Sequence, residues 1–276
     1  MRALKDMKTY AYTLKTLSPL ILSPRSSQAF YKGIDYKEEA YDYNIIYPFY
    51  RYSDYSEFNP YDPSSPDNIK IDKYYIPGSS IKGALTSGSD DRSKSLSLFV
   101  DDINETEASD FKVMPLKKSQ YFNLSEDAKI IPKIKSFFDK TVGFEYLNAE
   151  VTLSGKVRFS GDFDCLIQKS SDNTTAKCRN DIDALERYIK KIKNRKDYQD
   201  KNKQSDYDNV ISEINEIKDH IAKFIKSSNH IILLGGYKGM IRSLNIPDEN
   251  AQGAIFTTGK NIPLGFAEIS NEGEAS

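Results

Sequence analysis

The chain has 276 residues, enough to bury a sizeable core as one large domain or as two of about 140 residues each. Its 39 Lys and Arg stand against 40 Asp and Glu for a net charge of −1, which excludes a uniformly basic nucleic-acid binder and confines any phosphate affinity to local patches. Two cysteines exclude a disulfide framework, and the absence of a secretory h-region or of any run near the ~18 apolar residues of a membrane span leads to the expectation of a cytoplasmic protein with no membrane contact.

Residues 10–20 read as a first strand that ends in the turn Leu17-Ser18-Pro19-Leu20. Residues 31–75 carry eleven tyrosines and four prolines with neither a helical nor a strand period, which predicts a long, partly ordered insertion at about 31–73. Its interleaved aromatics could stack on bases, but nine acidic residues against five basic ones rule it out as the main tracker of an RNA backbone. A protein-facing role is the preferred reading of this segment.

The stretch from Tyr74 to Leu85 joins a strand end, a turn and a helix start. Pro77-Gly78 breaks the extended run, Ser79 or Ser80 is placed to cap a helix, and Ile81, Ala84 and Leu85 open its apolar face. A helix start offers unpaired N–H groups to an anion, Lys82 adds a full charge, and Gly83 admits close approach of another backbone. A capped helix packed on a sheet explains the same residues. Thr86-Ser87-Gly88-Ser89 then predicts that the helix is short or broken, with Arg92 the next cation.

Ser95–Phe99 is expected to be structured, and residues 101–110 form an acidic connector. Lys112, Lys117 and Lys118 beside Tyr121 and Phe122 make a small cationic cluster that equally suits a solvated strand edge. Val151, Leu153, Gly155, Val157 and Phe159 alternate with Thr152, Ser154, Lys156 and Arg158, the clearest strand in the chain, with its two cations on the open face.

Two amphipathic helices follow, one striped by Ile182, Leu185, Ile189 and Ile192, the other by Val210, Ile211, Ile214, Ile217, Ile221, Phe224 and Ile225, giving a helical hairpin at about 180–227. The basic run from Lys190 to Lys203 between them reads as a solvated tip or as a contact for RNA or a partner. Ile231–Leu234 is a buried strand or a last helical turn. Gly235, Gly236 and Gly239, with Tyr237, Lys238 and Arg242, then form either a tight structural turn or a loop that brings backbone and charge to a ligand. Residues 253–269 read as a closing hairpin turning near Gly259-Lys260-Asn261.

Cys165, Cys178, His220 and His230 share no ligand spacing, and no nucleophile elbow or Walker loop is present, so neither a metal nor another cofactor is expected.

The ordered set of first strand, Ser79–Gly83 helix start, Gly235–Gly239 loop and closing Pro263–Ile269 segment resembles the RAMP superfamily of CRISPR-associated RNA-binding subunits, over about residues 8–270. Within it the likeness is greatest to the end-capping, fifth Csm subunits of type III-A effector complexes. The chain departs from the pattern at Thr86, where an arginine is common, and at Tyr237-Lys238, which thin the glycine-rich loop. The resemblance implies an α+β fold of two ferredoxin-like, RNA-recognition-motif-like units with antiparallel sheets, over 1–145 and 146–276. It implies a non-catalytic subunit that grips the 3′ part of a guide RNA (crRNA) through Ser79, Ser80, Ile81, Lys82, Gly83, Gly235, Gly236, Tyr237, Lys238, Gly239 and Arg242. Its partners would be the other effector subunits, above all the neighbouring backbone RAMP subunit, with target RNA as a further one. Backbone RAMP subunits cleave target RNA with a loop aspartate, and Asp35 is the nearest counterpart by order, so a metal-dependent endoribonuclease is one alternative. A protein–protein adaptor without RNA contact is another.

Overall fold

The computed structural model describes residues 7–22, 29–35, 37, 42–52, 73–87, 97–104, 110–121, 135–136, 140–195, 197–235 and 253–275. Its strands are β1 (Lys8–Thr16), β2 (Phe30–Tyr31), β3 (Ile45–Tyr47), β4 (Arg51–Tyr52), β5 (Lys73–Tyr74), β6 (Leu98–Val100), β7 (Phe111–Met114), β8 (Lys117–Tyr121), β9 (Lys135–Ser136), β10 (Val142–Leu147), β11 (Thr152–Phe159), β12 (Ile231–Leu233), β13 (Gly253–Thr257) and β14 (Phe266–Glu274). Three helices are described: α1 (Gly78–Leu85), α2 (Phe163–Lys193) and α3 (Lys201–Ser227). The result is a mixed α+β protein built on several sheets, most of them antiparallel.

Alternation creates the central sheet. Tyr10, Tyr12, Leu14 and Thr16 of β1 and Leu153, Val157 and Phe159 of β11 are buried, while Thr152, Ser154, Lys156 and Arg158 are exposed. The strands lie in the order β12-β14-β1-β11-β6, with β1 antiparallel to both β11 and β14, and β11 antiparallel to β6. It follows that β1 and β6 run parallel with α1 between them in sequence, and β11 and β14 run parallel with α2 and α3 between them. Ile81, Ala84 and Leu85 of α1 and Phe163, Leu166 and Ile167 of α2 share one core with the buried residues of β1 and β11. The expected boundary near 145 therefore runs through this sheet, because β1 and β6 precede it while β11, β12 and β14 follow it.

The helical hairpin forms as its stripes require, and Cys178, Leu185, Tyr188 and Ile192 meet Tyr207, Val210, Ile214, Ile217 and Ile221 in a second core. One correction concerns length: α2 starts at Phe163, well before 180, with Asp162 capping it by accepting from the Cys165 N–H at 3.0 Å. Its first half shows no long apolar stripe because small polar residues occupy the buried face. Ser170 donates to the Ala84 carbonyl at 2.9 Å, and Ser171 accepts from the Ile231 N–H at 3.0 Å. Ile231–Leu233 is a strand, fully buried, rather than a helical turn.

The closing hairpin is corrected in part: the chain does turn at Gly259-Lys260-Asn261, with Thr257 bridged to Pro263 and the Thr258 N–H donating to the Ile262 carbonyl at 3.0 Å, but the strands on either side find other partners. β13 pairs with β8, and β14 enters the central sheet instead of returning along β13. Between them Gly265, at φ +82°, redirects the chain, and its N–H donates to the Pro19 carbonyl at 3.0 Å.

Several described residues of the tyrosine-rich segment pack into the protein's own core, while Tyr31 and Ile34 stay exposed. Tyr74 stacks on Phe111 at 3.7 Å between ring centroids, Phe49 meets Phe111 edge-on at 4.9 Å, and Tyr47 stacks on Phe144 at 5.2 Å. Residues 53–72 lie outside the described residues. One buried carboxylate pins these pieces together: Glu145 of β10 accepts from the Phe49 N–H at 2.8 Å and from the Tyr74 hydroxyl at 3.0 Å. Burial raises its pKa, opposed in lesser part by the Phe49 hydrogen bond, the nearby Arg51 charge and the Tyr74 hydroxyl.

Because the native state favours the protonated Glu145, its contribution is full below the ordinary glutamate value near 4.3 and is lost as pH rises through the higher native value. Glu145→Gln keeps the shape without the charge, so its stability relative to wild type should increase between about pH 4 and 7. Urea midpoints across that range test this, and a constant difference between the two proteins rejects it.

Candidate nucleic-acid interface

The start of α1 is built differently from the capping pattern in its sequence. Pro77 occupies the N-cap with φ −60° and ψ 128° and supplies no side-chain cap, so Ser79 and Ser80 fall inside the first turn. The cap comes from far along the chain: the Gly78 N–H donates to Asp102 Oδ1 at 2.7 Å. The Ser80 N–H folds back to the Pro77 carbonyl at 2.9 Å. One of the helix's free donors is thus already taken by a carboxylate.

Close backbone approach occurs at Gly78, not at Gly83. A Cβ on Gly78 would lie 2.0 Å from the Val100 carbonyl oxygen, so the helix start sits directly against the end of β6. Gly83 is exposed, and among the described residues nothing lies within 4 Å of where its Cβ would be. Ser79 and Gly83, four residues apart, therefore share an open face, with Lys82 half-buried beside them. Ile81 is a core residue whose side chain is fully buried. At the other end, Ser170 and the Asn173 side-chain amide donate to the Ala84 and Ser87 carbonyls, and Thr86 closes the helix, which is short as expected.

Of the second expected turn, only Gly235 is described. Gly236, Tyr237, Lys238, Gly239 and Arg242 lie outside the described residues. Gly235 needs to be glycine twice over: its φ is +86°, and a Cβ would stand 2.5 Å from the Ile21 carbonyl oxygen. The Leu234 N–H donates to the Gly265 carbonyl at 2.8 Å, which fixes the turn against the segment that leads into β14. β12, the strand that delivers Gly235, packs against α1, and Ile232 and Leu234 share a core with Ile81 and Leu85.

Cations gather at the edge of the central sheet. Lys82 Nζ and Arg158 Cζ each lie 5.8 Å from the centroid of the Phe99 ring, and Arg158 pairs with Asp101 at 3.7 Å. Lys156 is exposed on the same face of β11 as Arg158. Neither Asp102 nor Phe99 stood out in the sequence. Asp102 caps a helix 24 residues away, with no local motif to reveal it. Phe99 lies in a three-residue apolar strand, too short for its period to assign a face.

The basic run at the hairpin tip is only partly available. Arg195 is buried, forks onto Asp197 at 3.0 and 3.3 Å, and lies 5.6 Å from the Tyr207 ring centroid, while Lys203 reaches Asp197 at 3.2 Å. The Arg195 hydrogen bond leads the interactions that hold the Asp197 carboxyl well below the usual range. Lys190, Lys191 and Lys193 stay exposed in the last turn of α2, where cations complement the helix dipole. Asp35 closes its own turn, its carboxylate accepting from the Tyr31 N–H at 2.7 Å.

Among the described residues no group of three or more His, Cys, Asp and Glu gathers that could hold a metal, and no helix is long and apolar enough to cross a membrane. Cys165 is exposed, Cys178 is buried, and neither forms a disulfide. No protein-family model matches the chain, and a search of curated proteins finds no match.

The contrast between the two glycines of α1 is testable by unfolding. Gly83→Ala should stabilise the protein by about 0.5–1 kcal/mol, since alanine is the better helix former and meets open space there. Gly78→Ala should destabilise it by about 1–3 kcal/mol, since neither helix nor strand backbone can give way cheaply. Urea unfolding of both variants decides, and a destabilised Gly83→Ala would mean that this face is packed.

Proposed function

We propose that the chain is a non-catalytic RNA-binding subunit of the RAMP kind in a type III-A CRISPR effector complex, gripping the 3′ part of a guide RNA and ending the protein filament on it. The observation that carries this reading is the path of the chain through its central sheet. Taken in sequence, β1, α1, β6, β11, the two long helices and β14 follow the βαββαβ succession, and the strands lie side by side as β14-β1-β11-β6. We read this succession as a ferredoxin-like unit with β12 added at one edge. It supports one such unit drawn from both halves of the chain, where two were expected. Its first crossover is the serine–lysine–glycine helix on which the resemblance to RAMP proteins rests.

The chemistry of that helix fits backbone rather than base recognition. Ser79 offers a hydroxyl on the open face, Gly83 leaves room for a ribose-phosphate strand against the helix, and Lys82 supplies charge. Gly235 follows a strand that packs on the same helix, and Lys238 and Arg242 come soon after it in the sequence. Contacts of this kind hold phosphate and 2′-hydroxyl groups with little regard to sequence, as suits a protein that accepts many guides. Asp35 is engaged with its own backbone, which favours the non-catalytic reading over the ribonuclease. The tyrosine-rich segment would meet the neighbouring backbone subunit.

Guide-RNA titration of wild type and Lys82→Glu at several salt concentrations tests the proposal. The variant should bind more weakly, and the slope of log K against log salt should flatten by about 0.7 for the lost contact, more if the new carboxylate repels phosphate. Co-purified effector lacking this chain should carry guides with altered 3′ ends. Identical titrations together with unchanged 3′ ends would overturn the reading.

A further inference from the structure

We infer that Phe99 is a base-stacking platform for single-stranded RNA, set beside the helix that grips the backbone; the inference rests on the RNA-binding reading above. Phe99 is the middle residue of β6, the edge strand of the central sheet, and remains 44% exposed. An apolar ring on an open edge strand is a liability, because edges invite pairing with other chains. Here the ring is kept, and two cations from separate elements approach it. Arg158 is its cross-strand partner on β11, Lys82 reaches it from α1, and both lie 5.8 Å from the ring centroid.

Among the described residues, the acids that follow β6, Asp101 and Asp102, are occupied by the protein itself. Asp102 accepts from the Gly78 N–H, and Asp101 pairs with Arg158 at 3.7 Å. Lys156, two residues before Arg158 on the same strand face, extends the positive edge. Two cations beside one flat apolar ring match a ligand that alternates a flat aromatic with an anion on each side. A nucleotide between its two phosphates has that form. Every base offers a π face, so the platform accepts any of them, and the flanking phosphates draw Lys82 and Arg158 off the ring. The open face of α1, with Ser79 and Gly83, lies on the same helix as Lys82, so a strand leaving the platform can continue along it.

The test uses the full chain with fluorescently labelled oligouridylate, oligoadenylate and a base-free ribose-phosphate oligomer, followed by anisotropy. Phe99→Leu should weaken both base-bearing oligomers about tenfold, leave the salt slope unchanged, and leave the base-free oligomer unaffected. Phe99→Tyr should stay within about twofold of wild type, because its ring still stacks. Arg158→Ala should instead flatten the salt slope by about 0.7. In wild type, oligonucleotide carrying 4-thiouridine should photo-crosslink to the peptide containing Phe99, a readout that needs no folded variant. If wild type binds RNA in a Lys82-dependent manner while Phe99→Leu matches it and no crosslink maps to β6, the platform alone is wrong. If wild type binds none of the oligomers, the platform falls together with the RNA-binding reading.

Discussion

The fold depends on β1 being hydrogen-bonded along both edges while burying one face. β11 pairs with it from Lys8 to Lys15 and β14 from Tyr10 to Thr16, so the first strand is locked between segments that lie near the middle and at the far end of the chain. Neither partner is local. The sheet therefore closes only when most of the sequence has been gathered, a topology that folds slowly because loop closure precedes the contacts that reward it. Every candidate functional feature is referred to this strand: α1 crosses from it to β6, and Gly235 packs on the backbone that leaves it.

Small polar contacts, more than apolar area, set the orientation of α1. Ser170 and Asn173 of α2 hold the Ala84 and Ser87 carbonyls, Asp102 holds the Gly78 N–H, and Gly78 lets the helix start rest on Val100. Each neutral hydrogen bond of this kind contributes about 1 kcal/mol, and leaving one partner buried and unmet costs more. Apolar residues would fill the space but would not fix rotation about the helix axis. With rotation fixed, Ile81 and Leu85 face the core while Ser79 and Gly83 face outward.

Charge is distributed with the same economy. A chain of nearly zero net charge binds a polyanion only where cations stay exposed to it, rather than turned inward against the protein's own carboxylates. The densest basic run in the sequence loses Arg195 and Lys203 to Asp197, and Arg195 is turned inward toward Tyr207. At the sheet edge, by contrast, Lys82 of α1 and Arg158 of β11, far apart in sequence, converge beside an exposed ring, and Arg158 stays exposed even with Asp101 at 3.7 Å. Convergence of separated cations, rather than a run of adjacent ones, is what makes that edge the candidate interface.

The sequence by itself determined the elements whose signal is a period: the alternating strand at 152–159, the apolar stripes that pair α2 with α3, and the proline–glycine break that starts α1. It also marked Gly235 as one of three glycines that permit positive φ, and Ser79, Lys82 and Gly83 as residues of one helix start. Only the tertiary structure decided that β13 and β14 part company, that α2 begins at Phe163 with hydroxyls on its buried face, that Asp102 caps α1, and that Phe99 meets Lys82 and Arg158. The physical reason is common to all four. Backbone periodicity is a local property written in adjacent residues, whereas strand partners, long-range caps and ring–cation contacts depend on which distant segments the closed sheet brings together.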